Sequence, residues 1–241
     1  MNLIIDIGNT FTKVAITEGY EVAFIDRFEV LSIERLEDIL KKFSPSKGIV
    51  SAVGRKDDAF FERLKQYLPI IELDNNTLLP ITNQYKTPET LGRDRIAVAV
   101  AANYLYPSDD LLVIDAGTAI TYDLITNKAQ YIGGAISPGI ALRYKSLNQH
   151  TANLPLLSGI QSIFMVGTNT VECIESGVLN GVIGEIEYFI DRYKEMYPNI
   201  KVVFTGGDAN FFVNKLKNSI FVVQNLVIIG LNRILEFNAK H

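Results

Sequence analysis

The sequence predicts an α/β protein built as two duplicated halves, each with a mixed sheet flanked by helices. Short segments rich in Val, Ile and Phe alternate with helical patterns; some pair as hairpins and others are separated by helical crossovers, as mixed sheets require. The segment "LIIDIGNTFTKVAI" (3–16) recurs as "LLVIDAGTAITYDL" (111–124), close to half a chain later. The 241 residues, 48% hydrophobic and 21% charged, have an ordinary globular composition and suffice for two small domains.

Taken in order, apolar runs at 2–6 and 12–17 read as a hairpin, followed by a strand at 23–28. Ser32 caps a helix over 32–43, whose apolar residues at 33, 36, 39, 40 and 43 fall on one face. A strand at 48–51, a helix at 57–68 and a strand at 70–73 follow. Gly92 precedes Arg93, Asp94 and Arg95, which open a helix continuing from Ile96. The turn "YPSDD" (106–110) marks the boundary, giving domains of 1–109 and 110–241. The second half offers strands at 111–115, 121–125 and 129–132. Its longest helix lies within 169–198, with Val171, Ile174, Val178, Val182, Ile186, Phe189 and Tyr193 on one stripe and Pro198 closing it. Strands at 202–204 and 220–222 come next, with Asp208 placed to cap a helix after Thr205-Gly206-Gly207. A helix at 222–237 carries a broad apolar face suited to core packing or to a dimer surface.

The formal net charge of −4 is spread along the chain, and no basic block points to nucleic acid. A membrane span needs about 20 consecutive apolar residues, and "NLVIIGL" (225–231) is among the longest runs here. The N-terminus lacks a basic, signal-like region. The single Cys173 excludes an internal disulfide framework and reads as a small buried residue in a helix. These features point to a cytoplasmic protein that binds neither nucleic acid nor membrane.

Each copy of the repeat is an apolar strand, then Asp-x-Gly, then a polar residue, a Thr six positions after the Asp, and a second strand. Glycine lets the backbone turn and approach a ligand closely, and a turn that exposes several N–H groups makes an anion-binding concavity. Thr10, Thr12 and Thr118, the Asn9 amide and the Lys13 ammonium add donors for phosphate oxygens. Asp6 would repel phosphate unaided, but Mg²⁺ between them turns repulsion into attraction. One such hairpin alone is an ordinary capped turn; two facing each other would clamp a polyphosphate. Neither G-x-x-x-x-G-K-[ST] nor G-x-G-x-x-G occurs.

"KTPETLGRDRIAVAVAANYL" (86–105) is the most chemical stretch. A carboxylate in the first turn of a helix is favoured by the dipole, so Asp94 has a capping role open to it. Two flanking arginines exceed what a cap needs. Arg95 can hold a carboxylate with two parallel hydrogen bonds, and Asp94 can accept a proton from a substrate hydroxyl. His150, in "SLNQHTANLP", reads as a solvent-facing or loop-capping residue, with a substrate lid as the alternative.

Together "DIGNTFTK" (6–13), Tyr85 with "TPETLGRDR" (87–95), "DAGTAIT" (115–121), "GGAISPGI" (133–140) and "TGGDA" (205–209) resemble the type III pantothenate kinases, within the acetate kinase, sugar kinase, heat-shock ATPase and actin superfamily. The resemblance implies two ribonuclease-H-like domains with a cleft between them and ATP-dependent phosphorylation of pantothenate, the first step toward coenzyme A. It implies that Asp6, Ile7, Gly8, Asn9, Thr10, Phe11, Thr12 and Lys13 form one ATP phosphate loop and that Thr118 belongs to the second. Asp94 resembles the general base, while Tyr85, Gly92, Arg93, Asp94, Arg95 and Thr170 resemble substrate contacts. Asp115 resembles the ligand of a monovalent cation, K⁺ or NH₄⁺, and homodimers are implied. Family members usually carry a small or apolar residue where Arg93 stands, so a role there falls to its backbone. Rival functions of the same fold are a kinase of another small hydroxy acid or sugar, a polyphosphate hydrolase, and a non-catalytic nucleotide-binding regulator.

Overall fold

The structure is a computed structural model that describes residues 1–8, 10–52, 58–159, 163 and 165–240. The chain divides into two compact units. Residues 1–107, 128–131 and 225–241 form the first, and residues 108–127 and 132–224 form the second.

The first unit opens with β1 (Asn2–Ile7), β2 (Thr12–Glu18) and β3 (Glu21–Phe28), then α1 (Ile33–Phe43), β4 (Lys47–Ala52), α2 (Asp58–Leu64), β5 (Ile70–Glu72), β6 (Thr82–Asn83) and α3 (Arg93–Leu105). The five-stranded sheet runs β3-β2-β1-β4-β5. The β1–β2 and β2–β3 pairs are antiparallel, and β1–β4 and β4–β5 are parallel. The α1 boundaries are local chemistry: the Ser32 hydroxyl accepts from Arg35 N at 3.4 Å, and Ser44 ends the helix in the left-handed region at φ 46°. Leu36 and Ile39 point from α1 into a core with Leu3, Ile5, Val14 and Ile16 of the hairpin.

The second unit comprises β7 (Leu111–Ala116), β8 (Ala119–Thr126), β9 (Gln130–Pro138), α4 (Ile140–His150), α5 (Thr170–Met196), β10 (Lys201–Thr205), α6 (Ala209–Phe212) and β11 (Phe221–Val222). The strand order is β11-β10-β7-β8-β9, with β6 beside the start of β9. That start, residues 130–131, belongs to the first unit and pairs in parallel with Thr82 and Asn83. As in the first unit, an antiparallel hairpin, β7–β8, is followed by a parallel strand, β10, beside its first strand, and by another, β11, beside that. The sequence repeat is therefore a repeat of topology, and the two mixed sheets flanked by helices are the predicted duplicated fold.

Two differences from the sequence expectation matter for the site. The strand expected at 129–132 runs on to Pro138, because Gly134 packs directly on the Tyr122 backbone where any Cβ would collide. The last helix, α7 (Leu226–Asn238), belongs to the first unit, so the division differs from 1–109 and 110–241. It is a core helix: Leu226, Ile228, Leu231, Ile234 and Leu235 are buried. Gly230 approaches α3 so closely that a Cβ would overlap the Ala97 carbonyl. On α3, Ala97, Ala99, Ala101 and Ala102 are fully buried, and these small residues permit the close crossing. Asn232 of α7 accepts from Asn2 Nδ2 at 2.8 Å and from Thr17 Oγ1 at 2.9 Å, and donates to Gly19 O at 2.8 Å. Among the described residues, no helix is long and apolar enough to cross a membrane.

Candidate active site

In the first unit the site begins at the carboxyl end of β1. Asp6 stands opposite Lys13 of β2 and Ser51 of β4. It is only 8% exposed. Burial pushes its carboxyl up to about 6; Lys13 pulls it down, Asp94 adds to the rise, and the Ser51 hydroxyl opposes it least. Among the described residues, that buried hydroxyl finds no well-formed hydrogen bond. After Ile7, Gly8 N donates to Phe11 O at 3.1 Å and closes the turn. Thr10 and Phe11 are exposed and Thr12 is buried in β2, while Asn9 lies outside the described residues.

Asp94 sits in the first turn of α3 and accepts from Arg95 N at 2.8 Å. Gly92 occupies the cap, where a Cβ would come within 2.5 Å of the Asp94 carboxylate. Arg95 is 6% exposed, with its guanidinium carbon 5.7 Å from the Tyr85 ring centre and 6.0 Å from that of Tyr131. Arg93 points elsewhere: its Nη1 donates to Ala52 O at 3.1 Å. The start of α3 thus sets a carboxylate within electrostatic reach of Asp6 and a buried guanidinium alongside two neighbouring tyrosine rings.

In the second unit, Asp115 stands opposite Thr121 of β8 and Thr205 of β10, the counterpart of Asp6 between Lys13 and Ser51. Gly117 N donates to Ala119 O at 3.0 Å, leaving Thr118 exposed at the tip. Two other predicted motifs converge on this loop. Gly139 N donates to Thr118 O at 3.0 Å, and Asp208 N donates to Ala116 O at 3.0 Å. Gly206 adopts φ +102°, and a side chain there would collide with Ala116. Burial pushes the Asp208 carboxyl up. Thr170 begins α5, capped by Asn169, whose side chain accepts from Glu172 N at 3.0 Å.

Thr170 lines a cavity of about 860 Å³ in the second unit, along with Leu142, Arg143, Leu147, His150 and Cys173. His150 is exposed, as expected, at the last position of α4. Cys173 corrects the expectation of a buried thiol: it is exposed on α5, because the helix turns Ile174 and Val178 inward instead. Val171 of the predicted stripe is likewise exposed.

Residues 2–192 match the family model described as type III pantothenate kinase. The chain belongs to the type III pantothenate kinase family. A type III pantothenate kinase from Christiangramia forsetii is 43% identical over 240 residues, covering 99% of each chain. Among solved structures, a Campylobacter jejuni protein assigned to the Baf family of transcriptional activators is 26% identical, with a TM-score of 0.61, and covers 99% of this chain and 100% of that one. A Listeria monocytogenes protein assigned as an N-acetylmannosamine kinase shares the fold at 12% identity and a TM-score of 0.57, covering 98% of this chain and 99% of that one.

A type III pantothenate kinase is a kinase family member, which implies ATP and a divalent metal ion. Among the described residues no group of three or more His, Cys, Asp or Glu could hold a metal. Mg²⁺ itself is commonly held by one or two carboxylates together with water and phosphate oxygens. Asp6, buried with its carboxyl raised and Asp94 nearby, is a group whose charge a cation would offset. Sequence reasoning missed Ser51 and Tyr131 as neighbours of the site. Ser51, polar within the buried run "GIVSA" (48–52), was the available signal; Tyr131 in "QYIGG" (130–134) offered none.

Proposed function

We propose that this chain transfers the terminal phosphoryl group of ATP to the primary hydroxyl of pantothenate, giving 4′-phosphopantothenate, the first step toward coenzyme A. The observation that carries this reading is the pairing, at one helix start in a member of this family, of Asp94, within electrostatic reach of Asp6, with the buried Arg95. Phosphoryl transfer asks mainly for alignment and charge neutralisation. Asp94 orients the acceptor hydroxyl and takes its proton, and Arg95 holds the substrate carboxylate. Tyr85 and the backbone at Gly92 and Arg93 complete the pocket, with Thr170 as a further substrate contact. Residues 6–13 and Thr118 receive the ATP phosphates, and Asp6 lies nearest the divalent ion that neutralises them. Asp115 takes a monovalent cation, K⁺ or NH₄⁺.

The chain works in the cytoplasm as a homodimer. Support for the dimer comes from the cavity beside Thr170 and from the exposed Leu142, Leu156, Met165, Val166 and Val171. A coupled assay tests the function: ADP release should require pantothenate and K⁺ together. Release without pantothenate would mean a hydrolase, release with another hydroxy acid or sugar a different kinase, and nucleotide binding without turnover a regulator.

A further inference from the structure

The loop that presents Thr118 is held from behind by a chain of side chains that the reaction itself does not use. Gly139 is the element in direct touch with the loop: its N–H donates to Thr118 O at 3.0 Å, and it leaves no room for a Cβ against Gly117 and Thr118. The corner before it, Ser137-Pro138, is gripped by Arg143 of α4. Arg143 Nε donates to Pro138 O at 2.8 Å and Nη2 to Ser137 Oγ at 2.8 Å. Arg143 Nη2 also donates to the Glu185 carboxylate on α5. The other Glu185 oxygen accepts from the Tyr122 hydroxyl at 2.8 Å. Tyr122 is fully buried and stands opposite Ile114, next to Asp115. Its ring stacks on Phe189, one turn along from Glu185, with centroids 4.2 Å apart.

The result is a single fork. Glu185 is tied on one side to the hairpin that carries the loop and on the other, through Arg143, to the corner that seats it. Both partners of the ion pair are partly shielded, at 22% and 24% side-chain exposure. Burial pushes the Glu185 carboxyl up, but the hydrogen bonds from Ser137, Arg143 and Tyr122 outweigh it and hold the carboxyl below its usual value. An isolated surface ion pair contributes little, but this one satisfies a guanidinium that also fixes two backbone-adjacent acceptors, and such networks are worth more than their pairs. The geometry of a corner packed this tightly shifts as a unit.

We propose that Glu185 is a positioning residue for the phosphate loop: through Arg143 it fixes the 137–139 corner that seats Thr118, and so it sets the affinity for ATP and not for pantothenate. This rests on reading Thr118 as a phosphate contact, so the test separates the two. Steady-state KM values for ATP and pantothenate are measured on the full-length wild type, Glu185→Gln, Arg143→Lys and Thr118→Ala. Lys201→Met, which breaks an ion pair with Asp109 elsewhere in the second unit, serves as the control for plain destabilisation.

Glu185→Gln is expected to raise the ATP KM by about tenfold, the order of one lost charge-assisted hydrogen bond, with the pantothenate KM and kcat each changed by no more than about threefold. Arg143→Lys, which cannot make the three contacts at once, should likewise raise the ATP KM and covers the case of a poorly folded Glu185 variant; only its ATP KM is read, because Arg143 also lines the cavity beside Thr170. Lys201→Met should leave both KM values in place. An unchanged ATP KM in the Glu185 and Arg143 variants while Thr118→Ala raises it would overturn the positioning role alone. An unchanged ATP KM in Thr118→Ala would overturn the loop reading and the positioning role with it. A rise confined to the pantothenate KM in the Glu185 variant also overturns it.

Discussion

Asp6 carries a cost at the residue scale, a carboxylate buried at the end of β1. Its folded-state carboxyl titrates at about 6, above the ordinary 3.8. The folded state therefore holds this proton more tightly than the unfolded chain does. Stability falls as pH rises through the interval between those values and stays reduced above it. A shift of this size corresponds to about 2–3 kcal/mol. Without nucleotide, Asp6→Asn should unfold at higher urea than wild type at pH 8, the advantage shrinking at pH 4, while kinase activity is lost; equal midpoints at pH 8 would contradict the burial cost. Asp94 and Arg95 separate by kinetics. Asp94→Asn should leave nucleotide binding nearly intact and cut kcat by about 100-fold or more, the usual contribution of a positioned base. Arg95→Ala should instead raise the pantothenate KM. Near-normal turnover in the first variant, or an unchanged KM in the second, removes the assigned role. Steady-state kinetics with an ATP-binding titration reads both.

At the scale of elements, two helices carry the chemistry indirectly. The α3 helix presents Asp94 and Arg95 from its first turn, and α7 crosses its body at Gly230. Gly230→Ala places a methyl against the Ala97 carbonyl, and overpacking of this kind costs about 1–3 kcal/mol or more. Urea unfolding should show that loss, and kcat should fall with it as the start of α3 is displaced. Wild-type stability in Gly230→Ala would mean the crossing yields more than its geometry indicates. The predicted elements were legible where the signal was local. Ser32 capping α1, the β1–β2 hairpin and the start of α3 at "GRDR" (92–95) all sit as expected. The full length of β9 was not legible, because "GGAISPGI" (133–140) is interrupted by Gly and Pro and is shaped by what packs on it. The sequence expectation omits α4 (Ile140–His150), although "IALRYKSLNQH" holds several helix formers.

For the whole molecule, duplication gives each unit its own Asp-tipped hairpin with a parallel strand alongside, and each builds a loop on it. Leu142, exposed on the lining of the cavity beside Thr170, tests the proposed homodimer. If the proposed dimer uses this face, Leu142→Glu should shift it to monomer in analytical ultracentrifugation and raise the pantothenate KM. A dimer that survives this charge would place the interface elsewhere.

The sequence by itself determined the α/β class, the repeat, the Asp-x-Gly hairpins and the segments that mark the family. These depend on period, turn chemistry and residue spacing, which are local. Tertiary structure alone decided that α7 completes the first unit, that Arg93 turns to Ala52 while Arg95 packs alongside the rings of Tyr85 and Tyr131, and that Cys173 faces out. It also decided the raised Asp6 carboxyl and the bond from Arg143 to Glu185. Such features depend on which distant side chains share a buried space, and no local pattern encodes that.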